Sequence, residues 1–145
     1  MTNVHITVGT LVFALNLAAG AWGVFAWLSR RPSPLFWYVL RAAQASVILQ
    51  AVLGGVLVIM GEESGDGLHY LYGILPVAVM LVTEGMRLGA AQQVVGETDY
   101  KSLPEDEAQK LAMDIFIAET RVMALGCLII AALALRAGMT AGFLG

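Results

Sequence analysis

The chain has 145 residues, of which 59% are hydrophobic and only 13% charged, with a mean hydropathy of +0.78 and a formal net charge of −3. That composition excludes a water-soluble globular domain, and so little basic charge excludes a nucleic-acid partner. It points to an integral membrane protein: a hydrocarbon core roughly 30 Å thick takes about 20 apolar residues per helix, and four such runs follow one another between short polar breaks. The single Cys127 lies inside the last run, which excludes an internal disulfide and a dithiol redox motif.

The predicted architecture is an all-α membrane protein, one domain over residues 1–145, in which four transmembrane helices near 5–28, 35–60, 69–91 and 113–136 form an antiparallel bundle. The first run carries no Lys or Arg and is long, so it reads as a span rather than a cleavable leader. Its Ala14, Ala18, Ala19, Gly20 and Gly23 are small enough for another helix to approach closely, and Ser29-Arg30-Arg31-Pro32-Ser33-Pro34 ends it. The second span opens on Phe36, Trp37 and Tyr38, suited to a membrane interface. Its polar positions are Arg41, Gln44 and Gln50. The break from Gly61 to Gly67 holds Glu62, Glu63 and Asp66 and no basic residue. The third span carries Glu84 and Arg87 in its second half.

Gln92 to Lys101 reads as a loop, and Ser102-Leu103-Pro104-Glu105 has the form of a capping box with proline in the first turn. A helix from about Leu103 to Arg136 would be roughly 50 Å long, so its first turns extend into the cytoplasm. Arg30, Arg31, Lys101 and Lys110 fall on one side of the membrane and only Arg136 on the other, so the positive-inside rule places both termini outside.

The chain has two histidines, His5 at the start of the first span and His69 at the start of the third. Those spans are two crossings apart and run in the same direction, so both imidazoles sit at one depth. Neutral imidazole is a strong iron ligand, and a four-helix bundle readily holds a metal or haem between facing helices. Each histidine is followed four residues later by glycine, at Gly9 and Gly73, where a larger side chain would press on a coordinated porphyrin. Gly54 and Gly55 leave room on the second helix. Interfacial histidines beside abundant glycine are the plainer alternative.

His5-x-x-x-Gly9, Gln50-x-x-Leu53-Gly54-Gly55-x-x-Val58 and His69 together resemble one four-helix half of the haem A synthase family, over roughly residues 5–75. The resemblance implies that His5 and His69 are the axial ligands of one haem near the outer face. Thr2 stands where that family carries a glutamate, its outer-loop cysteine pair has no counterpart, and only one half is present. The resemblance therefore implies a b-type haem used in electron transfer or haem handling rather than haem A synthesis, with a homodimer able to restore two halves.

A second constellation is charged. Arg41, Glu84, Arg87, Glu119 and Arg121 fall toward the other side of the bundle, and Glu84 and Arg87 share a helix face. Ionisable groups inside a membrane are costly and pair with one another or mark an ion path. The readings are a structural ion-pair layer or a proton or quinone site, with Asn16 and Gln44 as possible members. Tyr70 and Tyr72 read as interface anchors, and the Glu62, Glu63 and Asp66 loop as a poorly organised cation site. The rival to haem binding is a small transport, assembly or respiratory-complex subunit without a cofactor, working through the charged layer.

Overall fold

The computed structural model describes residues 2–62 and 66–140. Four helices, α1 (Thr2–Leu28), α2 (Pro34–Ile59), α3 (Gly67–Val95) and α4 (Glu105–Thr140), are each long and apolar enough to cross a membrane. A short 3₁₀ turn, Tyr100–Ser102, precedes α4, and the described residues contain no strand. The predicted helical membrane bundle is therefore the fold. Hydrocarbon offers no partner to a backbone N–H, so each span satisfies its peptide groups within its own helix.

The caps explain where the helices begin and end. Ser33 caps α2, its hydroxyl accepting from the Phe36 N–H, with Pro34 at the first helical position. The Asp66 carboxylate caps α3 by accepting from the Leu68 N–H at 2.9 Å. α1 and α2 end alike, with Arg31 N–H on the Ala26 carbonyl and Glu62 N–H on the Leu57 carbonyl, which requires a left-handed residue between. Gly61 fills that role at φ +78°, and Arg30 does so at φ +51°.

Two expected boundaries move. α3 continues through Gln92 and Gln93 to Val95 and stops at Gly96, whose N–H bonds the Gln92 carbonyl and whose φ is +54°. Glutamine ends the apolar run without ending the helix. Ser102 does not form a capping box. Its hydroxyl donates to the Asp99 carbonyl within the 3₁₀ turn, and α4 starts at Glu105 with the Ala108 N–H on the Pro104 carbonyl. Glu105, Asp106 and Glu107 then lie where the helix dipole favours negative charge. At 36 residues α4 is roughly 54 Å long and overhangs α1 and α2 at its first turns.

Packing is uneven around the bundle. α4 packs extensively on α1 and α3, α1 packs on α2, and α2 meets α3 more sparsely than any of these. Small residues set the close approaches. A Cβ on Gly20 would stand 2.6 Å from the Leu128 side chain, one on Gly23 2.6 Å from Phe36 and 2.7 Å from Ala124, and one on Gly126 2.6 Å from Thr83. Two buried clusters lie along the axis: Ala19, Phe36, Leu40, Met123 and Cys127 in one, and Val12, Val47, Met80 and Ile130 in the other. Large exposed residues such as Leu28, Ile59, Leu81 and Val82 face outward, as a lipid-facing surface requires.

Gly23→Ala should lower stability by roughly 1–3 kcal/mol, because its methyl group overpacks the contact with Phe36 and Ala124. Gly55→Ala meets nothing within 4 Å and should raise stability by up to about 1 kcal/mol through helix propensity. Unfolding of the detergent-solubilised variants followed by circular dichroism separates the two.

Candidate functional site

The structure brings His5 and His69 together. α1 and α3 run parallel and their first turns meet at one end of the bundle, where the imidazole centroids are 6.0 Å apart with the rings inclined at 64°. Each ring is held by a different neighbour. The His69 Nδ1–H points to the Ala137 carbonyl of α4 at 3.2 Å, and the Gln50 amide nitrogen of α2 lies 3.2 Å from His5 Nε2. With the amide as donor, the pattern assigns the proton to Nδ1 in both rings and leaves Nε2 with its lone pair. His5 Nδ1 and Gln50 Oε1 are buried and without a hydrogen-bond partner.

Glycines shape this corner in two ways. A Cβ on Gly54 would stand 3.3 Å from His5 Cε1, and one on Gly9 would stand 3.0 Å from Gln50 Nε2, so these positions make room for the His5–Gln50 pair. Gly55 and Gly73 have nothing within 4 Å and face open space. Gly9 thus clears a path for glutamine, whereas Gly73 clears one for nothing in the chain itself. At this depth α4 contributes Ala137, one to two turns beyond Ala131, Ala132 and Ala134.

The sequence singles out Gln50 one turn from Gly54 without giving it a role, and the structure sets its amide against His5. The Ala137 carbonyl is a backbone group in an α4 last turn and carries no side-chain signature. Tyr70 stands edge-on to His69 at 6.2 Å, and Tyr72 lies under the Arg136 guanidinium at 5.9 Å.

The charged layer lies 18 residues along α3 from His69 to Arg87, roughly 27 Å away. Arg41 and Gln44 of α2 both reach Glu84 Oε1, at 2.6 and 2.7 Å. Arg87 donates through Nε to Glu84 Oε2 at 2.8 Å and through Nη1 to Glu119 Oε1 on α4 at 2.9 Å. The guanidiniums of Arg41 and Arg87 lie 6.0 and 5.8 Å from the Trp37 ring. Two cations and two anions therefore close a neutral chain over three helices.

Arg121 is exposed on α4 and stands outside that chain. Asn16 is buried but donates to the Val12 carbonyl of its own helix rather than joining the layer. The acidic break is otherwise engaged: Glu62 accepts from Thr2 at 2.6 Å and Asp66 caps α3, while Glu63 lies outside the described residues. Among the described residues no three His, Cys, Asp or Glu side chains converge as a metal-ion cluster. No protein-family model, curated protein or solved structure matches the chain.

Glu84→Gln should cost about 1–3 kcal/mol, below the range for fully buried pairs because Glu84 remains 26% exposed. Arg87→Gln should cost more than Arg41→Gln, since the Arg87 side chain is 19% exposed and bridges two carboxylates while that of Arg41 is 54% exposed. A double-mutant cycle on detergent unfolding reads this order.

Proposed function

We propose that this protein binds a b-type haem between His5 and His69 and serves electron transfer or haem handling in a membrane. One observation carries the reading: two parallel helices deliver the chain's two imidazoles to within 6.0 Å of each other, centre to centre. With metal–nitrogen bonds of about 2 Å, two imidazoles on opposite sides of one iron stand with ring centres roughly 6 Å apart. The donor set supports it further. The Ala137 carbonyl orients His69 and fixes its tautomer, as outer partners of metal-bound histidines do. His5 keeps its Nε2 lone pair under the Gln50 amide, which must turn aside for that nitrogen to coordinate.

A haem held there supplies one-electron chemistry. His5 and His69 would both hold the iron, leaving no site on it for a gas or substrate, which favours electron passage or carriage over catalysis. Arg30, Arg31 and Lys101 lie in the connections at the far end and Lys110 in the overhanging first turns of α4, so the positive-inside rule supports both termini and the histidine pair facing outward. The resemblance to one half of the haem A synthase family, carried by His5, Gly9, Gln50, Gly54, Gly55 and His69, agrees with this reading.

Purified protein supplied with hemin and reduced with dithionite should show a sharp low-spin α band. His5→Ala and His69→Ala should each abolish it, and Glu84→Gln should retain it. A wild-type protein that stays colourless, or an α band indifferent to both histidines, would refute the assignment and return attention to Arg41, Glu84 and Glu119.

A further inference from the structure

We propose that the histidine site is loaded sideways from the bilayer, through an opening between α2 and α3 framed by Gly55 and Gly73, by a planar apolar macrocycle that leaves one edge in that opening. This rests on the haem reading and adds the ligand's route and orientation.

The register of α2 against α3 places the opening. Gln44 and Glu84 are bonded across this seam at 2.7 Å, and the two helices are antiparallel. Gly55 lies eleven residues beyond Gln44, and Gly73 lies eleven residues before Glu84. Eleven residues are about three helical turns, so each glycine shares its partner's helix face, roughly 16 Å from the bonded pair. Gly55 and Gly73 therefore oppose each other across the seam just as Gln44 and Glu84 do.

At that point the wall is thin. Both glycines are exposed and a Cβ on either meets nothing within 4 Å. The walls on either side are filled, by Gln50 against Gly9 and Gly54 against His5 between α1 and α2, and by His69 on the Ala137 carbonyl between α3 and α4. Directly inside the opening are the two imidazoles, because Gly54 touches His5 and Gly73 is one turn from His69.

Two further observations point to a ligand rather than a packing defect. His5 Nδ1 and Gln50 Oε1 are buried without partners at this level, so the Gln50 amide is not locked by a second hydrogen bond and can turn aside for a ligand on His5 Nε2. The seam between the glycines and the polar clasp carries Ile48, Ala51, Val77 and Met80 and no charge. A hydrated metal ion would find no polar path along it. A flat apolar ring dissolved in lipid would.

The test uses the full chain in phosphatidylcholine liposomes, as a Gly55→Cys/Gly73→Cys variant in a Cys127→Ala background, bridged with a short bifunctional thiol reagent. Bridging before hemin is added should slow growth of the histidine-dependent absorption about tenfold or more. Bridging after loading should leave the absorption in place, and a one-ended reagent on either single cysteine should have a smaller effect. Equal uptake by bridged and unbridged protein would overturn the lateral route while leaving the haem reading intact. A wild-type chain that takes up no hemin would overturn both.

Discussion

Hydrocarbon gives a backbone amide nothing to bond with outside its own segment, and from that constraint the arrangement of this protein follows. Four apolar runs become four rods, and rods joined by short connections alternate in direction. The first and third must run parallel, so whatever side chains open them meet at one end. His5 and His69 open them. Packing then converts equal depth into contact. α1 and α2 keep a single antiparallel register from Gly23 against Phe36, through Gly9 against Gln50, to His5 against Gly54. A glycine near the far end of α1 thus helps fix where an imidazole stands near its start.

The bundle is not equally tight all round, and the inequality has a chemical logic. α4 is the spine, drawn against α1 and α3 by Gly20, Gly23, Gly126 and Ala124, where van der Waals contact is the main attraction available in lipid. α2 has no comparable seam with α3. It is held instead by Arg41 and Gln44 on Glu84, a directional fastening that hydrocarbon makes costly to release. Dispersion needs a continuous surface, whereas an ion pair holds from one point. Fastening α2 to α3 at one end leaves the remainder of their seam free to be open.

Much of this was legible in the sequence, for identifiable reasons. Span number, direction and the shared depth of the histidines depend only on hydropathy and alternation, so they could be read without knowing a single contact. Glu84 and Arg87 were legible as a pair by their spacing. The rest depends on rotation about helix axes, which near-uniform apolar helices hide. Arg121 faces outward while Glu119 faces Arg87, although they are two residues apart. Gln50 belongs to the histidine corner because α2 is rotated to present it, and Ala137 belongs there through a backbone oxygen. The Gln92–Val95 extension is hidden because polarity there marks only the end of the apolar run, not the end of the helix.

The two polar ends of the bundle also differ in how completely their groups are satisfied. In the charged layer Arg41, Glu84, Arg87 and Glu119 balance in sign and bond in sequence, so their desolvation is offset within the chain. That is the condition in which ionic groups serve architecture. At the histidine end His5 Nδ1 and Gln50 Oε1 are enclosed without partners, and the remaining orphan among the described side chains, Thr120 Oγ1, stands alone in the core. An unmet donor and an unmet acceptor beside two imidazoles and an unfilled wall are a cost that packing does not repay. A satisfied layer at one end and an unsatisfied corner at the other, more than the rarity of histidine, are why the haem proposal is placed at the end where α1 and α3 begin.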